Sequence, residues 1–136
     1  MGSNPTKFND KDVFYTGNMP HDTCMQIFDS ADWMLHLAWL DHCPNTVIEA
    51  ISRGLPVICS EDGGTKEIVK NFGIILKEKK TYSFELTNYE NPPELDVFQI
   101  KNLPNKESLG NPLEVSIYSC AKEYISFFSL KFAEFI

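Results

Sequence analysis

The chain has 136 residues, 43% of them hydrophobic, and a formal net charge of −7. This length and composition are typical of one globular domain or part of one. The lysines are scattered and form no basic cluster, so nucleic-acid binding is not expected. A small diphosphate ligand is not excluded, because local backbone dipoles can hold it against an unfavourable overall charge.

The cysteines and the last apolar region indicate the cellular compartment in which the protein is expected. We expect unpaired thiols in a reducing cytoplasm, because there is no C-x-x-C spacing and no secretory signal. A peripheral location at a membrane face is left open. The apolar region 113–136 is interrupted by charged residues, so it predicts an amphipathic helix and not a membrane span. The four cysteines are Cys24, Cys43, Cys59 and Cys120.

The first part of the chain alternates short apolar runs with helical stretches. Asp22 and Asn45 are the expected N-caps of the first two helices, and the Gly-Gly-Thr run at 63–65 opens the third. This alternation predicts βαβ crossovers, and therefore an α/β fold with a Rossmann-like parallel sheet and flanking helices. Strands are predicted at residues 13–16, 33–37, 56–59 and 74–76.

The rest of the chain carries a different pattern. Residues 78–112 are rich in proline and polar residues, which predicts an irregular excursion with one short strand around Phe84. The helix at 113–136 carries an aromatic packing face. We therefore treat residues 1–136 as a single, partial domain whose core spans residues 13–77.

Polar residues follow the predicted strands at the edge where parallel sheets bind ligands. Asp41 comes directly after a strand, and Glu49 lies eight residues later in the next helix. A carboxylate there can accept hydrogen bonds from a ribose, and free N–H groups near Asn45 can face sugar hydroxyls or phosphate. On spacing alone, Asp41 as a turn residue and Glu49 as an exposed helix residue remain an open alternative.

Other reactive side chains have simpler interpretations. His36 lies in an apolar strand and is expected to be a core histidine with a backbone partner. Cys43 follows His42 directly but is expected to be a loop cysteine and not a nucleophile. The spacing of these residues matches no zinc site, so no metal is expected.

Several motifs in sequence order carry a family resemblance. The stretch D-H-C-P-N-T-V-I-E-A-I-S-R-G-L-P-V at 41–57, followed by G-G-T-K-E-I-V at 63–69, resembles the group 1 (family 4) glycosyltransferases of the GT-B fold. Their signature is an acidic residue, seven residues, a glutamate with alanine after it, G-x-P-V, and then G-G-x-x-E-I-V. The V-F-Y-T-G run at 13–17 and Ala-Asp at 31–32 also match. The resemblance covers residues 13–77.

The resemblance implies specific residue roles. Glu49 would bind the nucleotide ribose, and Asp41 would contact the transferred sugar as the candidate catalytic residue. Asp41 is shorter than the usual glutamate, and His-Cys-Pro at 42–44 stands where the family usually has glycines. The remaining implied donor-binding residues are His42, Cys43, Pro44, Asn45, Gly17, Asn18, Met19, Gly63, Gly64 and Thr65.

The resemblance also implies an activity. The protein would transfer a sugar from a nucleoside diphosphate sugar to a saccharide or lipid-linked acceptor, with retained configuration and no cofactor. The chain would be part of the C-terminal donor domain. It would lack the basic pair and the N-terminal acceptor domain, so we expect an inactive fragment that self-associates. The alternatives are another GT-B enzyme, either a sugar-nucleotide epimerase or a phosphorylase, and a non-catalytic interaction domain.

Overall fold

The computed structural model describes residues 11–79, 90–111, 118–119 and 121–126. Helices and strands alternate over the first described range. Two 3-10 helices lie in the second range, and residues 118–119 and 121–126 are helical. The elements are α1 (His21–Ser30), β1 (Met34–His36), α2 (Asn45–Ser52), β2 (Val57–Ser60), α3 (Thr65–Val69), β3 (Gly73–Leu76) and the 3-10 helices Val97–Asn102 and Lys106–Ser108.

The three strands form one parallel sheet in the order β1-β2-β3. Met34 of β1 pairs with Val57 of β2, and Val57 pairs in turn with Gly73 of β3. Every residue of β2 is buried, as expected for a central strand covered on both faces. The predicted α/β fold with a parallel sheet and flanking helices is therefore confirmed.

The core lies between the sheet and helices α2 and α3. Val47, Ala50 and Ile51 of α2 are fully buried because their spacing of three to four residues places them on one face of the helix. They pack with Val69 of α3 and with side chains of β2. Burial raises the pKa of the Cys59 thiol in β2 to about 11. Cys24 and Cys43 are also free thiols, and Cys120 lies outside the described residues.

The expected strand at 13–16 and both expected N-caps are wrong. Residues 13–16 form no strand, and Phe14 is 88% exposed. A strand needs a neighbour to accept and donate its backbone hydrogen bonds, and no described strand pairs with this segment. Helix α1 begins after Pro20, two residues earlier than expected, and α2 begins after Pro44, one residue earlier than expected. The fixed φ of proline suits the entry into a helix, so no side-chain cap is used.

The second described range contains two 3-10 helices and is otherwise irregular. Asp96 and Asn105 are the N-caps of these helices. Their side-chain oxygens accept hydrogen bonds from the backbone N–H groups of Phe98 and Glu107, respectively. Glu78 and Leu95 form an isolated antiparallel bridge that ties this range to the end of β3. The expected strand around Phe84 lies outside the described residues.

Only part of the predicted terminal helix lies within the described residues. Tyr118 is 79% exposed and Tyr124 is 68% exposed, so the expected aromatic packing face is not formed at these two positions. Within the described ranges, no helix combines the length and apolar character that crossing a membrane requires.

Candidate functional site

The carboxyl ends of the three strands gather the predicted loops at one edge of the sheet. β1 ends at His36, β2 at Ser60 and β3 at Leu76. Because the strands are parallel, the loops that follow them start on the same side. The loops after β1 and β2 touch directly, since the Gly64 N–H donates a hydrogen bond to the Asp41 carbonyl at 2.9 Å.

Two glycines allow this contact between loops. A Cβ atom at Gly64 would lie 2.0 Å from the His42 carbonyl oxygen, and one at Gly63 would lie 2.8 Å from the Asp41 carbonyl oxygen. Gly63 also has φ +102°, which side chains rarely tolerate. The Thr65 hydroxyl donates to the same Asp41 carbonyl at 3.4 Å. Two hydrogen bonds from the loop after β2 therefore fix the backbone of Asp41.

The Asp41 side chain faces a histidine. Its carboxylate is 35% exposed, and Oδ2 lies 3.3 Å from Nε2 of His36, whose side chain is only 16% exposed. The distance suits an ion pair, but Nε2 forms no hydrogen bond with any described residue. His36 occupies an apolar strand as predicted. The neighbour of its Nε2 is a carboxylate and not the backbone group that the sequence led us to expect.

Glu49 also lies beside a histidine, at the junction of α1 and α2. Its side chain is 35% exposed, and Oε1 lies 3.2 Å from Nε2 of His21, the first residue of α1. The predicted loop of Gly17, Asn18 and Met19 leads into His21, so its end lies close to Glu49. Gly17 has φ +67°, and Met19 is partly buried.

The start of α2 presents free backbone donors between the two carboxylates. Buried Pro44 precedes the helix, and its carbonyl accepts the N–H groups of Val47 at 3.1 Å and Ile48 at 3.3 Å. The N–H groups of Asn45 and Thr46 have no acceptor among the described residues, and both residues are exposed. Such N–H groups and the helix dipole favour anionic or hydroxyl ligands.

The remaining predicted residues of this loop, His42 and Cys43, are exposed. The backbone of His42 lies against Gly64. Within the described ranges, no group of three or more histidine, cysteine or acidic residues is arranged to hold a metal ion. The loop thus offers a carboxylate and backbone polar groups toward a ligand.

Sequence reasoning missed a third carboxylate at this edge, Glu78, which follows β3. Its Oε1 accepts the Asp62 N–H at 3.2 Å, and its Oε2 is buried without a hydrogen bond to any described residue. Burial is the main cause that raises the pKa of Glu78 to about 7; the nearby Asp62 and Glu61 carboxylates act in the same direction, and the backbone hydrogen bond from Asp62 opposes them. Its position directly after the last strand was the available signal.

The chain matches the model of one known protein family. A family model described as Glycosyl transferases group 1 matches residues 6–95, well over half of the chain. The chain belongs to the group 1 glycosyl transferases. The match includes all three strands, both glycines and both predicted carboxylates.

Membership of the group 1 glycosyl transferases assigns the protein to sugar transfer in general and confirms the group 1 part of the family resemblance. The match runs beyond residue 77, where the resemblance in the sequence fades, and reaches the antiparallel bridge at Leu95. No curated protein and no solved structure gives a significant match to the chain.

Proposed function

We propose that this chain forms the donor-binding part of a retaining, family 4 type glycosyltransferase that uses a nucleoside diphosphate sugar. The observation that supports this most is the arrangement around the start of α2. Asp41 lies before the helix, Glu49 lies on it, and the free N–H groups of Asn45 and Thr46 lie between them. A sugar nucleotide offers hydroxyls at both ends and anionic oxygens between them, which suits this order of groups.

In the proposed complex, Glu49 accepts hydrogen bonds from the ribose hydroxyls. Asp41 accepts them from the transferred sugar, and the N–H groups at the start of α2 face the anionic or sugar oxygens between. The residues at 17–19 lie beside the base, because they lead into His21 next to Glu49. Catalysis would rest on orienting the sugar and stabilising the departing diphosphate.

We also propose that the 136-residue chain binds donor weakly and does not transfer sugar by itself. In the GT-B enzymes that the chain resembles, a second domain binds the acceptor, and a basic pair on an earlier βα unit neutralises the diphosphate. Helix N-terminal dipoles contribute about 0.3–1 kcal/mol each at exposed sites, so we expect a dissociation constant no better than about 1 mM. The intact protein would act in the cytoplasm or at a membrane face.

Titration of isotope-labelled chain with a panel of nucleotide sugars tests the proposal. UDP-glucose, GDP-mannose and ADP-glucose should be compared with their free sugars by heteronuclear NMR. We expect the amide signals of residues 41–49 and 63–65 to shift with at least one donor. If no signal at this edge moves at millimolar donor, the proposal is wrong and an interaction domain is favoured. Product analysis of the intact enzyme would separate transfer from epimerisation or phosphorolysis.

A further inference from the structure

The backbone and the side chain of Asp41 are held by different parts of the fold. Its carbonyl accepts hydrogen bonds from Gly64 and Thr65, so the backbone is fixed by the neighbouring loop. The carboxylate lies beside Nε2 of His36, which is 3.3 Å from Oδ2 and forms no hydrogen bond with any described residue. The imidazole is therefore the group placed to set the direction of the carboxylate.

His36 is suited to this task because the sheet holds it. It is the last residue of β1, and it pairs with Cys59 of β2, which is fully buried. Its Nε2 is buried and has no hydrogen bond within the described part of the chain. A buried polar nitrogen without a partner is unfavourable, so a small rotation of the Asp41 carboxylate toward it would be stabilising.

We propose that His36 is a positioning residue for Asp41, which deepens the donor site described above and rests on it. Nε2 carries the proton and donates to Oδ2, which holds the carboxylate in one rotamer. Oδ1 then stays directed toward the ligand and accepts a sugar hydroxyl. A carboxylate has acceptor sites enough for both hydrogen bonds at once.

Two measurements without a donor test the positioning directly. The scalar couplings between the Hα and Hβ protons of Asp41 should show one dominant rotamer in the wild-type chain and averaged rotamers in His36→Leu. His36→Gln places an amide donor near the same point and should restore the wild-type couplings. His21→Leu is the matched control, because that histidine contacts Glu49, and it should leave the Asp41 couplings unchanged.

The imidazole itself provides a second measurement if His36→Leu does not fold. Nitrogen-15 NMR of the wild-type chain should show the Nε2–H tautomer at His36, and Asp41→Asn should shift the Nε2 signal. The Nδ1–H tautomer would overturn the proposal. Unchanged Asp41 couplings in a folded His36→Leu chain, or no restoration by His36→Gln, would do the same.

Donor titrations then separate this proposal from the donor site itself. We expect His36→Leu to weaken binding of the best donor about tenfold, and His36→Gln to recover most of that loss. Equal donor affinity in wild type and a folded His36→Leu would contradict the positioning role. If the wild-type chain bound no donor, the proposed function would fail, while the rotamer and tautomer results would still decide whether His36 orients Asp41.

Discussion

The two carboxylates at the edge of the sheet are supported by different parts of the fold. Asp41 belongs to a loop that is pressed against the next loop, and its side chain lies beside a half-buried histidine of the sheet. Glu49 belongs to a helix, and its side chain lies beside the exposed histidine at the start of α1. The first position depends on close contact between backbones, whereas the second depends on the docking of two helices.

This difference means that the two carboxylates can be disturbed separately. A change in the glycine pair should displace Asp41 and leave α2 in place. A change at Glu49 should remove one ligand contact without altering the loops.

Gly64→Ala should have the largest effect on the folded state. Its Cβ would lie 2.0 Å from the His42 carbonyl oxygen, so one of the two loops must move. We expect a loss of about 3 kcal/mol in the free energy of unfolding, measured by urea denaturation. Gly54→Ala is the control, because it has φ +73° but open space around it, and it should cost only about 1 kcal/mol. Equal losses would show that the loop contact is not the cause.

Glu49→Ala should act on ligand binding and not on folding. A hydrogen bond to a charged carboxylate contributes about 1.5–3 kcal/mol, so donor affinity should fall by roughly one to two orders of magnitude. Calorimetric titration with the nucleotide-sugar donor is the appropriate measurement. Glu107→Ala, an exposed glutamate of the second 3-10 helix, should leave the affinity unchanged. An unaltered dissociation constant in the Glu49 variant would show that Glu49 does not bind the ribose.

Glu78, which follows β3 at the same edge of the sheet, should make the free energy of unfolding depend on pH. Its pKa is about 7 in the folded chain against an ordinary value of 4.5, so the folded state binds the proton more tightly than the unfolded state. The free energy of unfolding should therefore be highest below about pH 4.5 for this group and should fall as the pH rises toward 7. Glu78→Gln should flatten that slope between these values. A slope that persists in the variant would assign it to other groups.

His21→Ala should have the smallest effect on stability. Its side chain is 65% exposed, and exposed ion pairs contribute at most about 1 kcal/mol. We expect a change below that value in the free energy of unfolding. Asp29→Ala, which removes an exposed pair with Arg53 between the same two helices, is the matched comparison. A large loss in the histidine variant alone would show that α1 docks mainly through Glu49.

Hydrophobic patterning predicted most of the sheet and its helices because these elements bury their apolar faces within the chain. The alternating runs that became β1, β2 and β3 were identified with errors of at most one residue at their ends. The run at 13–16 has the same apolar character, yet it forms no strand. Composition alone does not tell whether a strand has a neighbour to pair with.

The sequence predicted which loops form the candidate site, but it did not predict the side-chain contacts within it. Parallel topology placed Asp41, Gly63 and Gly64 at one edge, and the structure brings them together. The histidine beside each carboxylate depends on strand register and side-chain rotamers, which no sequence period encodes. Asp96 and Asn105 cap the 3-10 helices at 97–102 and 106–108, and these residue types favour such turns, although the proline-rich composition around them predicted an irregular segment.

The buried thiol of Cys59 in the central strand can report how often the sheet opens. Cys59 is fully shielded, and its raised pKa keeps it in the unreactive protonated form at neutral pH. An alkylating reagent should therefore label exposed Cys43 quickly and Cys59 only when the sheet opens. The labelling rate of Cys59, followed by mass spectrometry of its peptide, would measure how often β2 separates from its neighbours. A bound nucleotide sugar that clamps the loops at the end of β2 should slow that rate, with no chemical label added to the ligand.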